Sequence, residues 1–122
     1  MLKLLIVENN LDVLEMLVNY FVGGPSGSYE VDTAHSGQTA LNGLLLDGSF
    51  DLVITTNHLA DMMGVELFAK IKEMFPSMPV ILTSGLPIKP LPKGLDAFYQ
   101  KPFDIEELGC AVERLTTKKQ PA

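Results

Sequence analysis

Short apolar runs alternate along the chain with segments whose apolar residues recur at helical spacing. Runs too short for helices predict five strands, at 2–7, 29–34, 52–55, 80–83 and 97–100. Nearly continuous apolar character, as at 2–7, is typical of strands buried on both faces. The run at 29–34 instead alternates apolar and polar residues, which favours a strand with one wetter side or a strand at a sheet edge.

Helical periodicity predicts four helices between and after these strands. The first carries Leu11, Leu14, Leu17, Val18 and Phe21 and stops at the Gly-Gly-Pro of 23–25. The second begins at Ser36 as N-cap and ends at Gly48, and the third follows Gly64. The last begins at Asp104, with Glu107 as its capping-box partner.

Strands and helices that alternate in this way predict an α/β fold, with a parallel sheet covered by helices on both faces. In such folds functional side chains gather where the strands end, near the point at which strand order reverses. The segments that follow the predicted strands are 8–10, 55–58, 83–85 and 101–102.

Composition limits the classes of function that fit. The chain of 122 residues has room for one domain, and its formal net charge of −6 argues against a nucleic-acid-binding surface. No apolar run approaches the roughly 18 to 20 residues of a membrane span, and the N-terminus lacks the pattern of a secretory signal. We therefore expect a cytoplasmic protein that makes no direct contact with nucleic acid or membrane.

The single cysteine and the polar C-terminus complete this outline. Cys110 excludes an internal disulfide, and its position beside Ala111 on the last helix favours a packing role. We predict one domain over 1–117, followed at 118–122 by a polar tail or the start of a linker.

Four motifs together resemble the receiver domain of two-component response regulators. They are LLIVENN at 4–10, YEVDTAHSGQTAL at 29–41, FDLVITTNHLADMMGVEL at 50–67, and VILTSG at 80–85 followed by FYQKPFD at 98–104. The resemblance implies a flavodoxin-like, doubly wound sheet with strand order 2-1-3-4-5. It also implies phosphorelay chemistry, in which a histidine kinase passes a phosphoryl group to an aspartate after the third strand, with Mg²⁺ held by carboxylates.

Several residues match the family pattern. Lys101 corresponds to the family lysine, and Pro102 follows it, which makes Lys101–Pro102 a candidate cis peptide bond. Thr83 corresponds to the hydroxyl residue that contacts the phosphoryl group, and Phe98 to the switch aromatic.

Two positions depart from the pattern. Glu8 and Asn9 fall on the acidic pair, so one carboxylate is replaced by an amide, and Thr56 falls on the acceptor aspartate. Gly64 supports that alignment. The resemblance therefore implies a degenerate phosphorylation pocket, in which Mg²⁺ binds weakly or not at all, Glu8 is the one remaining metal ligand, and Lys101 is free to pair with Glu8.

The stretch between Thr83 and Lys101 is a further departure. It is shorter than is usual in the family and holds Pro87, Pro90 and Pro92, which forbid a regular helix. We expect the fourth helix of the family to be shortened or lost, and the surface it would form to be remodelled.

The favoured interpretation is an atypical receiver that is not an enzyme and acts as a phosphorylation-independent interaction module. Its expected partners are a histidine kinase, an effector domain or another receiver, including a second copy of the chain. One alternative is a working phosphoacceptor that uses an unorthodox residue such as Asp61. Another is a flavodoxin-like ligand-binding domain, although the turn at 8–12 has no glycine to cradle a phosphate.

Overall fold

A computed structural model describes residues 1–24 and 29–119. Within them the strands are β1 (Lys3–Val7), β2 (Glu30–Ala34), β3 (Leu52–Thr56), β4 (Val80–Ser84) and β5 (Ala97–Gln100). The helices are α1 (Leu11–Gly23), α2 (Gly37–Leu46), α3 (Gly64–Met74) and α4 (Ile105–Lys119).

All strand pairs in the sheet are parallel, and the order is β2-β1-β3-β4-β5. This confirms the predicted α/β architecture and strand order. The inner strands β3 and β4 are buried at every position, whereas β2, which alternates in sequence, lies at one edge and is mostly exposed. Burial of both faces explains why β3 and β4 each begin with three consecutive apolar residues, although each ends in two hydroxyl residues.

The core consists of two clusters, one on each face of the sheet. The first includes Leu44 of α2 and Leu67 and Ile71 of α3. The second includes Phe21 of α1 and Leu108 of α4. Helices therefore cover both faces, and apolar burial on each side holds the strand ends in place.

The segment that joins β4 to β5 contains no helix, as the prolines predict. Leu86 and Leu91 are largely exposed there, whereas Leu95 packs against the first core cluster. The fourth helix expected from the family resemblance is thus lost, and α4 of this chain is the helix after β5.

Helix α2 ends earlier than the sequence predicts. Its last residue is Leu46, and Asp47 rather than Gly48 forms the C-cap. Asp47 also pairs with Lys3 of β1. The hydrogen bond from Lys3 and those from Ser49 lower the pKa of Asp47 well below its usual range. Asp47 thus joins the end of α2 to β1 through a contact that spans 44 residues of sequence.

The predicted packing role of Cys110 is wrong, because its side chain is exposed. Leu108, Ala111 and Val112 form the buried stripe of α4, and at about 100° per residue Cys110 lies on the opposite side of the helix. At the start of the helix, Asp104 accepts a hydrogen bond from the backbone of Glu106.

The structure describes only the first two residues of the polar tail predicted at 118–122. Helix α4 continues through Lys119, so its last turn extends beyond the predicted domain boundary. Residues 120–122 lie outside the described residues.

Candidate functional site

Three side chains meet where parallel strands end. Glu8 directly follows β1, Thr56 is the last residue of β3, and Lys101 directly follows β5. Because all five strands are parallel, these ends lie at one edge of the sheet. The fold therefore brings together three of the residues that sequence analysis singled out.

The Lys101 ammonium contacts both of the other side chains. Its Nζ atom lies 2.9 Å from Oε1 of Glu8 and donates a hydrogen bond to Oγ1 of Thr56 at 3.1 Å. The predicted pairing of Lys101 with Glu8 is thus present. The Glu8 side chain is only 2% exposed and the Lys101 side chain 23%, so solvent screens this ion pair only in part.

The second oxygen of Glu8 is also occupied. Oε2 accepts hydrogen bonds from the backbone amides of Asn9 at 3.1 Å and Asn10 at 3.0 Å. A buried carboxylate is tolerated when it is paired and hydrogen-bonded, and Glu8 meets both conditions. Glu8 therefore connects the Lys101 side chain to the turn after β1, and it is also the acidic group of the site.

Asn9 and Asn10 fix the turn after β1. The Asn9 side-chain amide donates to the carbonyl oxygen of His58 at 2.9 Å, which ties this turn to the loop after β3. The side chain of Asn10 accepts from the backbone amides of Asp12 and Val13 and so caps α1.

Thr83 lies beside Thr56 in the register of β3 and β4 and is buried. Its carbonyl oxygen accepts from the backbone amide of Asn57, and the Asn57 side chain accepts from the amide of Val65. Asn57 therefore links the end of β3 to the first turn of α3. Asn57 lies in one of the segments predicted to follow a strand, but no sequence pattern indicates this linking role.

Phe98 and Pro102 lie along β5 and just beyond it. Phe98 is half-buried and stands opposite Leu82 of β4. The Lys101–Pro102 peptide bond is cis, as is that between Lys89 and Pro90. Pro102 helps to line an apolar groove of about 380 Å³, together with Val13, Met16, Lys101 and Phe103.

Asp61 has a role that sequence analysis missed. Its two carboxylate oxygens accept hydrogen bonds from the backbone amides of Gly37 and Gln38, each at 2.9 Å. The amide of Gln38, followed by that of Gly37, holds the pKa of the Asp61 carboxyl below its usual value. Asp61 thus accepts hydrogen bonds from amides at the start of α2 that would otherwise lack a partner within the helix. The two segments are more than 20 residues apart, so no local sequence pattern predicts this contact.

Within residues 1–24 and 29–119, no group of three or more His, Cys, Asp or Glu side chains is arranged to hold a metal ion. Nor is any of the described helices long and apolar enough to cross a membrane.

Residues 4–113 match the family model of the response regulator receiver domain. The chain therefore belongs to the response regulator receiver domain family, a family of regulatory signalling domains.

Curated relatives agree with this assignment. The chain is 32% identical over 124 residues to the transcriptional regulatory protein GlrR of Escherichia coli K12, with 98% of this chain and 27% of GlrR covered. It is 30% identical to the response regulator ArlR of Staphylococcus aureus, with 99% of this chain and 55% of ArlR covered. The chain thus spans between about a quarter and about half of the length of these relatives.

Solved structures share the fold. A signal receiver domain of an HD domain-containing protein from Pseudomonas fluorescens Pf-5 superposes with a TM-score of 0.86 at 28% identity, over 97% of this chain and 88% of that one. The response regulator TrrA from Thermotoga maritima, in complex with Mg²⁺ and BeF, gives a TM-score of 0.82 at 25% identity, over 94% and 99%.

Proposed function

We propose that this chain is a degenerate receiver, which interacts with other signalling proteins without being phosphorylated on an aspartate. The observation that carries the proposal is the side chain at the end of β3. At the position of the family acceptor stands the hydroxyl of Thr56, hydrogen-bonded to Lys101. For this position to accept a phosphoryl group, the Thr56 hydroxyl would have to act as the nucleophile.

A threonine hydroxyl is poorly suited to attack phosphorus. It is neutral and needs a general base, whereas an aspartate is already ionised at neutral pH. Glu8 is the acidic group among Glu8, Thr56 and Lys101, and it is bound to the Lys101 ammonium and to two backbone amides. No oxygen of that carboxylate is left without a donor, which supports an inactive acceptor site.

The donor set also fits Mg²⁺ poorly. Mg²⁺ prefers several hard oxygen ligands, in particular carboxylates. Here one carboxylate remains, Asn9 supplies an amide in place of a second, and an ammonium lies 2.9 Å from the carboxylate oxygen. The positive charge of Lys101 opposes a divalent cation at the same place, which supports weak Mg²⁺ binding or none.

Asp61 is a poor substitute acceptor. Both of its oxygens are hydrogen-bonded to the start of α2, and leaving that position would expose two helix amides.

The turn between β1 and α1 is equally unsuited to hold the phosphate of a nucleotide or flavin. The amides of Asn9 and Asn10 already donate to Glu8, and those of Asp12 and Val13 to Asn10.

If the site cannot accept a phosphoryl group, the domain has to transmit its signal by binding other proteins. The proposed partners are signalling proteins of the same systems, such as a histidine kinase or an effector domain. The segment without a helix between β4 and β5 supports a changed set of contacts, because it exposes Leu86 and Leu91 where the family has a helix.

Four proteins test the proposal: wild type, Asn9→Asp, Thr56→Asp and the double variant Asn9→Asp/Thr56→Asp. Each is incubated with Mg²⁺ and acetyl phosphate, and its intact mass is measured. We expect no phosphoryl group on wild type or on Asn9→Asp, which lacks the acceptor. The double variant regains both a second carboxylate and an aspartate after β3, so we expect it to gain one phosphoryl group.

A phosphoryl group on the wild-type chain would contradict the proposal, and peptide mapping would then identify the acceptor. If the double variant also remained unphosphorylated, Thr56 and Asn9 would not account for the loss. Mg²⁺ binding measured by calorimetry on the same four proteins separates a metal defect from an acceptor defect.

A further inference from the structure

The loop between β3 and α3, residues 57–63, is hydrogen-bonded to three other parts of the fold, and we refer to it as the β3–α3 loop. At its start, the backbone amide of Asn57 donates to a carbonyl oxygen of β4 at 2.8 Å. Near its end, the Asp61 carboxylate accepts from two amides at the start of α2. Between these points, the carbonyl oxygen of His58 accepts from the Asn9 side chain, which belongs to the turn after β1.

The link between the β3–α3 loop and the turn after β1 depends on the chemical type of one atom. Nδ2 of Asn9 lies 2.9 Å from the carbonyl oxygen of His58. A carbonyl oxygen can only accept, so the nitrogen of the amide has to face it. An oxygen atom in the same place would repel the carbonyl oxygen unless a hydrogen or a cation lay between the two. An amide and a carboxylate at position 9 therefore have opposite effects on this contact.

The neighbouring strand ends are joined in the same way. Oε1 of Glu8 and Oγ1 of Thr56 lie 2.9 Å and 3.1 Å from Nζ of Lys101. With the carbonyl oxygen of His58, this makes three oxygen atoms that each accept a hydrogen bond from a nitrogen of the chain. A divalent cation can hold several oxygen atoms together by coordinating all of them. In this chain the Lys101 ammonium and the Asn9 amide supply the links instead.

We propose that Asn9 is an internal clamp, which holds the β3–α3 loop in one conformation without a divalent cation. The poor fit of the donor set to Mg²⁺ then has a conformational consequence, because the position of the loop is the same whether or not Mg²⁺ is present. A partner that contacts this edge of the sheet meets a single form of the domain. Asn9 acts through the carbonyl group of His58 and is thus a positioning residue.

The clamp rests on the proposed function for the weak binding of Mg²⁺, but it concerns the loop and not the phosphoryl acceptor. The two can therefore fail separately. Phosphorylation is measured by the intact mass after incubation with acetyl phosphate. The clamp is measured by the exchange of backbone amides in the absence of any phosphodonor.

Two backbone amides at the start of α2 report the position of the loop, because their common acceptor lies in it. The amides of Gly37 and Gln38 both donate to Asp61. The amide of Thr39 is the internal control, since it lies in the same turn of α2 but donates to the side chain of Ser36. Hydrogen exchange followed by NMR measures the rate at each of these amides.

Two substitutions at Asn9, studied first in EDTA, test the clamp. Asn9→Ala removes the donor, so exchange at Gly37 and Gln38 should become about fivefold faster, the effect of one lost hydrogen bond. Asn9→Asp places an oxygen against the His58 carbonyl, and exchange should become about tenfold faster or more. The Thr39 amide should keep its wild-type rate in both variants.

Addition of millimolar Mg²⁺ distinguishes the clamp from a merely structural contact. The rates of wild type and Asn9→Ala should change by less than about twofold, because neither offers a second carboxylate beside Glu8. In Asn9→Asp the metal can lie between the new carboxylate and the carbonyl oxygen, so the rates should return to within about twofold of wild type. Asn19→Asp makes the same chemical change at an exposed position in the second half of α1, and it should have no effect with or without Mg²⁺.

Three results would overturn the proposal. One is a wild-type loop whose reporter amides slow on addition of Mg²⁺ as much as those of Asn9→Asp. The others are wild-type exchange rates in Asn9→Ala, and a failure of Mg²⁺ to slow exchange in Asn9→Asp. Asn9 and Asn19 are both exposed, so their substitution leaves the core intact, and circular dichroism verifies that each variant is folded.

Discussion

Lys101 joins two roles at the scale of a single residue. It neutralises a carboxylate that is almost fully buried, and it donates to the hydroxyl of Thr56. An ion pair in such a position contributes little net stability when intact, because both charges lose solvation. Removal of one partner is costly, since the other charge is then left buried and unpaired.

Lys101→Met should therefore destabilise the fold by about 2 to 3 kcal/mol, somewhat below the usual cost for a fully buried pair because the ammonium is partly exposed. Urea denaturation at neutral pH measures this. In the double variant Lys101→Met/Glu8→Gln the uncompensated charge is removed as well, so we expect at least half of the loss to be recovered. A loss in Lys101→Met of no more than about 0.5 kcal/mol, typical of a surface substitution, would show that the pair is not structurally important.

Asp61 makes the start of α2 sensitive to pH. Its pKa in the folded chain is lowered by the amides of Gln38 and Gly37, so the ionised form stabilises the fold. That contribution is fully present above the ordinary aspartate pKa of about 4 and is lost as the pH falls through the lower pKa of the folded state.

Asp61→Asn removes the charge and keeps the size of the side chain. We expect the variant to be less stable than wild type near neutral pH, and the difference to shrink as the pH is lowered through this range. Urea denaturation of both proteins at a series of pH values measures the difference. A difference that is independent of pH would show that the charge of Asp61 contributes nothing beyond its hydrogen bonds.

The site was predictable where it depends on strand ends and was not where it depends on loops. Glu8, Thr56 and Lys101 meet because parallel strands end at one edge, and the pattern of short apolar runs already places them there. The bonds of Asp61 to α2 and of Asn9 to the carbonyl of His58 span 23 to 49 residues. Such contacts follow from loop conformations, which periodicity does not encode.

At the scale of elements, α3 begins against the back of the site. A Cβ atom added to Gly64 would lie 2.5 Å from the carbonyl oxygen of Thr56 and 2.8 Å from the Cα atom of Asn57. Both neighbours are backbone atoms that cannot turn away. The first residue of α3 must therefore lack a side chain for the end of β3 to hold its position.

Gly64→Ala should cost about 1 to 3 kcal/mol, because the backbone has to move to relieve the overlap. Gly43→Ala in α2 is the matched control. Nothing lies within 4 Å of a Cβ atom at Gly43, so this change should instead stabilise the chain by about 0.5 to 1 kcal/mol through the higher helix propensity of alanine. Thermal denaturation of the two variants beside wild type provides the comparison, and equal effects of the same sign would refute the steric argument.

Element boundaries followed local signals only in part. Ser36 caps α2, as the sequence predicts, because its side chain accepts from the amide of Thr39. Helix α2 then ends at Leu46, one residue before Asp47, which pairs with Lys3 of β1. A local capping residue is readable in sequence, whereas an ion pair with a distant residue at a helix end is not.

At the scale of the whole molecule, the sequence pattern determined the fold class because the apolar runs of the inner strands have to be buried on both faces. Alternation of strands and helices then left a doubly wound parallel sheet as the consistent arrangement. The exposed side of α2 and α3 was not predictable in this way. Leu45 continues the helical periodicity of Leu41 and Leu44 but extends past the rim of the core.

The helix-free segment between β4 and β5 has a practical consequence for anyone who wishes to attach a reporter to this chain. Lys89, Pro90 and Leu91 are exposed and lie between two local hydrogen bonds, from the amide of Leu86 to the Ser84 side chain and from the amide of Leu95 to the carbonyl oxygen of Pro92. Surface loops of this kind accept inserted residues at low thermodynamic cost. A short peptide label placed there would lie outside every strand, and no strand would have to change register to accommodate it.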